Sequence, residues 1–434
     1  MRFVMVSLLA LAAAAPANAD TLTQAMSTAV ETNPTLAAER QRLNATREAL
    51  PQAWSELLPQ ISLSAGVQRS NNDGTAPGAD TPSRETWSGS FGASQLLFAG
   101  GRVVATTRAA RAQIAGAVAD YDNTLQSLLL DVTTAYADVR QAQAVVAARE
   151  TTVSNLTRLL EYAQAQFDAG VVTRTDVAQA QARQAQARTQ LVQAQGSLAA
   201  AVQAYLRLVG TPPTDLQAPQ SVTGLPADLD TALNIAVDES PVLQRAEADT
   251  VLADANVDVA DSGGRARVTL EGGQSIGADF DDDDDLTSSN DTIGVRMSIP
   301  LFQGGALRSR SRAQRAVRAA TNLDLAASQR AVQELVTNSW TSLASARAAV
   351  DSAREQVQAA ELAYEGVRLE QETGLRSTVE VLDQEQDLLI ARLALAQAER
   401  DLVIAERQLL AAVGRLDVPA DGGGTVESDQ LRGR

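Results

Sequence analysis

Apolar residues recur along this chain with two different periods, and each period predicts a different element. Leu125, Leu128, Val132, Ala135, Val139, Ala142 and Val146 are spaced alternately three and four apart, the seam of a long packed helix. Val336, Leu343, Val350, Val357 and Tyr364 recur every seventh position and predict a second one. Elsewhere the period is two. Ile61, Leu63, Ala65 and Val67 alternate with Ser62, Ser64, Gly66 and Gln68, and Trp87, Gly89, Phe91 and Ala93 with Ser88, Ser90, Gly92 and Ser94. Ile293, Val295, Met297 and Ile299 alternate with Thr292, Gly294, Arg296 and Ser298, while Val268 and Leu270 carry a weaker version. These runs predict four strands, each with one apolar face and one small polar face.

The order of elements repeats. Leu22 to Pro34 matches Leu229 to Pro241, Leu97-Phe98-Ala99-Gly100-Gly101 matches Leu301-Phe302-Gln303-Gly304-Gly305, and Gly170-Val171 with Asp176 matches Gly374-Leu375 with Glu380. From Leu97 onward every matched pair is 204 positions apart, as Val209-Gly210 is from Val413-Gly414. Such a period is too long for a solenoid and indicates a duplicated domain. Each half predicts a helix (about 21–57 and 229–261), two strands, a very long helix (about 102–168 and 306–372) and a further helix (about 174–209 and 376–413). The predicted domains are a first repeat over 20–210, a linker over 211–227 rich in Pro, Thr and Gln, a second repeat over 228–414 and a flexible tail over 415–434. Between Gly101 and Gly170 there is no Pro and only Gly116, so the first long helix reaches roughly 100 Å at 1.5 Å per residue. The helices at 174–209 and 35–57, of roughly 54 and 35 Å, would match it if stacked in line. Ten-residue runs with one apolar face suit a transmembrane β-barrel or, alternatively, a soluble antiparallel sheet. Four strands cannot close a barrel alone, so spanning a membrane requires several chains.

Composition narrows the chemistry. The 434 residues hold 53 acids against 36 basic residues, all Arg, for a net charge of -17; there is no His, Cys or Lys. That excludes His/Cys metal sites, thiol nucleophiles, Ser-His-Asp triads, Schiff bases and Walker-A lysines. No cofactor and no metal site is expected, and the acidic excess argues against nucleic acid as a partner. A carboxylate-only hydrolase has no paired catalytic motif in its favour. Aromatics at 3% within an apolar total of 45% point to long Ala-rich helices rather than a bulky core. Arg2, the apolar run from Phe3 to Ala15 and Ala17-Asn18-Ala19 read as a secretory signal peptide over 1–19; a membrane anchor would need a longer apolar span.

Duplicated halves, each running helix, two strands, Leu-Phe-x-Gly-Gly, long helix, Gly-containing turn and helix, resemble the TolC family of outer-membrane efflux proteins. The likeness covers essentially all of the chain after residue 19. Its most specific motif is Thr373-Gly374-Leu375-Arg376-Ser377-Thr378-Val379-Glu380-Val381-Leu382-Asp383, matched at the equivalent break by Ala169 to Val177. The absence of Cys favours the non-lipidated type. The resemblance implies a mixed, mainly α fold: a homotrimer whose four strands per chain form one 12-stranded barrel in outer-membrane lipid, continued by a periplasmic α-helical barrel. It implies a passive, non-enzymatic duct of a tripartite export system of a Gram-negative bacterium. Small toxic molecules or type I secreted proteins would pass through it, opened by a periplasmic adaptor (membrane fusion protein) and an inner-membrane pump of the RND or ABC type. The alternative is a non-channel periplasmic coiled-coil scaffold or adaptor.

Carried over residue by residue, the motif places Asp176, Arg376, Glu380 and Asp383 at a periplasmic gate, with Arg376 pairing Asp176 of a neighbouring chain. Glu380 follows Arg376 by one turn and Asp383 by three more residues, so they are expected to share a helix face. Without the family motif these would read as ordinary solvated helix-end charges. Where relatives often carry Tyr three residues before the turn glycine, this chain has Gln371. Gly170, Val171, Gly374 and Leu375 form the hairpin tips, where glycine permits a left-handed turn and the exposed apolar neighbour suits adaptor docking, capping alone being the simpler role. Phe98, Gly100, Gly101, Phe302, Gly304 and Gly305 mark the strand-to-helix turns. Pro59 precedes the first strand, whereas Gly263-Gly264-Arg265-Ala266 stands at that place in the second half. Asp281–Asp285 reads as a solvated acidic loop, or as a cation site that lacks EF-hand spacing.

Overall fold

The computed structural model describes residues 21–70, 84–220, 222–280 and 288–418. The expected signal peptide, the first hairpin loop, the Asp281–Asp285 run and the tail beyond 418 lie outside the described residues. The elements are α1 (Leu22–Thr32), α2 (Pro34–Arg47), α3 (Ala49–Ser55), β1 (Gln60–Ser70), β2 (Arg84–Ala99), α4 (Arg102–Asp168) and α5 (Arg174–Val209). They are followed by α6 (Leu229–Glu239), α7 (Pro241–Ser262), β3 (Arg267–Asp279), β4 (Ser288–Ser298), α8 (Ala306–Glu372) and α9 (Thr378–Ala412). The long helices α4 and α8 have 67 residues each. The first helical stretch of each half, expected to be continuous, is broken: α2 and α7 both restart at a proline. A proline tolerates the first helical position but cannot donate to the turn before it.

One compact unit comprises residues 37–124 and 234–334 and holds the strands. They form one antiparallel sheet in the order β1-β2-β3-β4. The register sorts the side chains sharply. Leu63 lies opposite Phe91, Val67 opposite Trp87, Gly89 opposite Ile276, and Leu270 opposite Val295. With strand alternation, that puts Ile61, Leu63, Val67, Trp87, Phe91, Leu270, Ile276, Ile293, Val295 and Met297 on one face. The other face carries Ser62, Ser64, Ser88, Ser90, Gly92, Ser94, Gly273, Ser275 and Gly277. There Ser64 and Ser90 share a hydrogen bond at 2.7 Å, and Arg296 Nε pairs with Glu271 Oε2 at 3.0 Å.

The weak pattern after Leu270 concealed a strand that runs on to Asp279. Its polar-face glycines explain the missing signal. A Cβ on Gly273 or Gly277 would stand 2.9 Å from the carbonyl oxygen of Phe91 or Trp87, so β3 approaches the β2 backbone too closely for a side chain. Both outer strands, β1 and β4, are exposed along their whole length, with Ile61, Leu63, Ile293 and Val295 facing solvent in the single chain. In the same unit, α7 is tied to α4 by Arg245–Asp120 at 2.6 Å and to α8 by Arg315–Asp261 at 3.1 Å.

The other unit comprises residues 21–36, 125–233 and 335–418 of the described chain. Most of the predicted α4 seam is buried here, from Leu128 through Val132, Ala135 and Val139 to Ala142, as are Val336, Leu343 and Val350 of α8. Helix α9 is the hub. It packs Leu382 against Leu156 of α4 and Ala187 of α5, and Ala398 against Val350 and Ala353 of α8. Its Arg400 reaches Asp138 of α4 at 2.6 Å and its Arg392 reaches Glu361 of α8 at 2.8 Å. No helix among the described residues is long and apolar enough to cross a membrane.

The close strand approach makes a prediction. Gly277→Ala should cost about 1–3 kcal/mol in urea unfolding of the detergent-solubilised protein, because the new methyl meets backbone. Gly89→Ala, whose Cβ would meet only the Ile276 side chain at 3.6 Å, should stay within about 0.5 kcal/mol. Equal costs would show that the approach at Gly277 is not close.

Candidate functional site

The predicted gate and docking residues gather at two hairpin tips, α4–α5 and α8–α9, built alike. Gly170 and Gly374 have φ of 75° and 78°, the left-handed region that glycine tolerates. The amide after each glycine reaches back over the turn: Val171 N donates to Gln166 O and Leu375 N to Glu370 O, both at 2.9 Å. This is the six-residue closure that ends a helix cleanly. Nothing stands within 4 Å of where either glycine's Cβ would be, and Val171 and Leu375 project into solvent.

The next helix then starts from a reciprocal cap in both hairpins. Thr173 N and Oγ1 donate to Asp176 Oδ2 at 2.9 and 2.8 Å; Ser377 N and Oγ donate to Glu380 Oε2, both at 2.9 Å. Ser377, at φ -85° and ψ 157°, is the N-cap. Arg376 therefore lies outside α9 rather than on its first turn, because the capping serine must leave the helical conformation to accept from Glu380 N.

Arg376 is a clamp. Its Nε donates to Glu370 Oε2 at 2.8 Å and its Nη1 to Glu380 Oε1 at 2.6 Å, joining the last turn of α8 to the first turn of α9. Glu370 went unnoticed in the sequence, although its place one turn-length before the glycine is the available signal. Asp383 is not part of this clamp; its Oδ1 accepts from Arg183 Nη2 of α5 at 3.4 Å, joining the two hairpins. Asp176 stays on its own cap, and its expected pairing with Arg376 involves a second copy. Gln371 is buried, and its amide donates to Thr378 Oγ1 at 3.3 Å within the second hairpin.

These bonds set the acidities. The Ser377 backbone amide, followed by Arg376, pulls the Glu380 carboxyl down to about 2. The Thr173 backbone amide lowers Asp176 likewise, and hydrogen bonds to Glu370 and Glu380 raise Arg376. The tip is thus a set of permanent charges at neutral pH. A turn further along α9, Glu385 is different. It is buried, and Asn155 Nδ2 of α4 donates to both its oxygens at 3.1 and 3.0 Å. Desolvation raises its pKa, and hydrogen bonds from Thr152, Asn155 and Tyr364 oppose the shift. Burial and the neighbouring Glu385 push the Tyr364 hydroxyl up to about 12. Nothing in the residue pattern marks this carboxylate, since an acid inside an Ala-rich amphipathic helix reads as solvent-facing.

The strand-to-helix turns differ between the halves. Gly100, Gly101, Gly304 and Gly305 all have positive φ. Arg265 covers the first turn and donates from Nη1 to Gly100 O at 2.8 Å, and a Cβ on Gly100 would collide with it. The second turn is open, with Leu301 and Phe302 exposed beside it.

Comparison with known proteins follows the same two-part pattern. The family model for the outer membrane efflux protein matches the chain twice, over residues 25–211 and 232–415. The outer membrane efflux protein BepC of Brucella suis is 29% identical over 402 residues, covering 92% of this chain and 86% of its own. The outer membrane protein TolC of Vibrio cholerae is 27% identical over 92% of this chain and 91% of its own. The solved CmeC outer membrane channel of Campylobacter jejuni superposes with a TM-score of 0.81 at 16% identity, covering 95% of this chain and 88% of that one.

Two predictions follow from the charges. Glu380 is held far below 4.5, so its contribution to the hairpin is complete above about pH 4.5 and is lost only as the pH falls toward about 2. A carboxyl titration by NMR should show its midpoint well under pH 4; an ordinary midpoint would refute the clamp. Glu385 has the opposite sign: its raised pKa favours the folded state as it becomes protonated. Asn155→Ala should therefore cost roughly 1.5–3 kcal/mol at pH 7 in urea unfolding, and less in acid as Glu385 neutralises. A pH-independent loss would separate Asn155 from the Glu385 charge.

Proposed function

The chain belongs to the outer membrane efflux protein family, and we propose that three copies form the outer-membrane duct of a tripartite export system. It is an outer-membrane channel that extends into the periplasm. The observation that carries the trimeric reading is the sheet: four strands whose large apolar side chains, Leu96 apart, share one face, mostly small polar residues on the other, and both edges unpaired. In a bilayer the apolar face turns to lipid and the polar face to the lumen. An open edge is untenable there, and three copies supply twelve strands for a closed barrel. The two repeats, 20–210 and 228–414 about the 211–227 linker, each contribute two of the strands and one tall helical hairpin.

Transport through such a duct is passive, and no catalytic step is assigned to any residue. Energy would come from an inner-membrane pump of the RND or ABC type, coupled by a periplasmic adaptor. The cargo would be small toxic molecules, type I secreted proteins or both. The exposed tips, Gly170-Val171 and Gly374-Leu375, are the docking points for the adaptor. Asp176, Arg376, Glu380 and Asp383 form the gate: docking breaks the Arg376 clamp, and the carboxylates left on the threefold axis favour cations. The support for this reading is the arrangement of Arg376 between Glu370 and Glu380 and the bond that joins Asp383 to the other hairpin.

Outer-membrane fractionation and single-channel recording in planar bilayers test this. Arg376→Ser should raise conductance severalfold over the closed wild type; unchanged conductance with unchanged dye permeability would remove Arg376 from the gate. Val171→Asp combined with Leu375→Asp should leave the purified channel's conductance intact while abolishing export in cells. Normal export by that variant would exclude the tips as docking points.

A further inference from the structure

The serine and glycine face of the sheet differs between the two halves at three places. Phe91 and Val295 are equivalent, at the interval that separates Leu97 from Leu301. Phe91 lies opposite Leu63 and Val295 opposite Leu270, so β3 repeats β1 at the interval between Leu22 and Leu229. At these intervals Gln60, Ser64 and Gly92 of the first half become Arg267, Glu271 and Arg296 of the second. An uncharged trio in one half is a charged trio in the other.

The three charges stand together at the end of the sheet nearer the helices. Arg267 lies opposite Ser298, Glu271 opposite Ser94 and Gly294, and Arg296 opposite Thr269. Arg296 Nε donates to both oxygens of Glu271, at 3.2 and 3.0 Å, and Thr269 Oγ1 donates to Oε1 at 3.2 Å. The carboxylate is thereby occupied. Among the described residues neither Nη of Arg296 makes a bond, and its side chain is 72% exposed against 43% for Glu271. Arg267 is exposed and has no ion pair among the described residues. Two guanidiniums around one carboxylate leave the trio positive, in a chain whose net charge is -17. From Glu271 to the row of Gln68, Thr86 and Asp279, this face carries no other charge among the described residues.

We propose that Arg267 and Arg296, set around Glu271, make the duct wall favour anions at the helical end of the sheet. This rests on the trimeric-duct reading and adds to it a charge station opposite in sign to the carboxylates of the gate. Closing a barrel joins strand edges and leaves the inner face to the lumen, so three copies present three such trios around the bore. Low-dielectric walls lined by one sign of charge focus its field into the water they enclose. Solutes carrying carboxylate, sulfonate or phosphate groups are favoured there over cationic ones. The bias is coarse: it acts through water on the sign of the charge and needs no lodging site.

A cross-strand ion pair also steadies β3 on β4. That role alone does not distinguish the sign of a passing solute, and Arg267 has no part in it.

The test reads the local potential. The chain has no Cys, so Ser94→Cys, opposite Glu271, places one thiol per copy beside the trio. Purified trimers are treated with methanethiosulfonates of similar size that carry either a sulfonate or a trimethylammonium group. The ratio of the two rates cancels access and thiol acidity. In 0.1 M salt, Arg296→Gln should lower the anion-to-cation ratio roughly threefold and Arg267→Gln roughly twofold, while Glu271→Gln should raise it about threefold. Arg267→Gln breaks no pair and stands alone as a test should Arg296→Gln disturb folding. Ser88, opposite Gly277 further along the same face, lies roughly 20 Å from Ser94, about two Debye lengths away, so the ratio at Ser88→Cys should not move. Unchanged ratios at Ser94→Cys in intact trimers, or equal changes at Ser88→Cys, would overturn the charge station and leave the duct standing. A monomer by native sizing of the unmodified protein would instead refute the duct reading itself.

Discussion

The backbone hydrogen bonds of β1 and β4 are the constraint from which the rest of the molecule takes its purpose. Each strand offers eleven residues of amide and carbonyl along an edge that the chain itself leaves unpaired. In water such edges invite aggregation, and in lipid each unmet group costs several kcal/mol. The sequence does little to blunt them: β1 has no proline and no lysine, and its apolar residues face outward. A chain that keeps its edges open, with one face greasy and the other lined by serine and glycine, is specified for association rather than independence.

The periplasmic half solves a different problem, holding long helices together with few bulky side chains. Small residues let the helices approach closely, but each contact buries little area. Helix α9 compensates by touching three others, through Leu382, Ala398, Arg392 and Arg400. Glu385 adds a buried carboxylate whose donors come from α4 and α8. Such a group is costly to bury but specific, because only one packing of three helices gives it enough donors.

Much of this was legible in the sequence. The periods of two and seven locate the strands and long helices, and the constant interval between halves exposes the duplication. The glycine-containing breaks marked both tips to the residue. Misreadings have local causes. The breaks before Pro34 and Pro241 were lost because the apolar pattern continues across them. The second half of β3 was hidden because Gly273 and Gly277 carry no side chain to register the alternation. Spacing alone puts Arg376 on a helix face, although the serine after it is the cap. Glu370, Arg183 and Glu385 were invisible as partners because their bonds depend on how turns and hairpins meet, which periodicity does not encode.

The serine and glycine lining of the sheet has a consequence for whatever passes along it. Among the described residues such a surface presents hydroxyls, bare backbone and the paired charges of Arg296 and Glu271, but no aromatic plate. A solute sliding past keeps its own hydration and finds nowhere to lodge. Apart from that pair little side chain intrudes, so bore width depends more on how many strands make the wall than on what decorates it. Friction is low by composition, so neither tight affinity nor fine discrimination belongs to this stretch of the path.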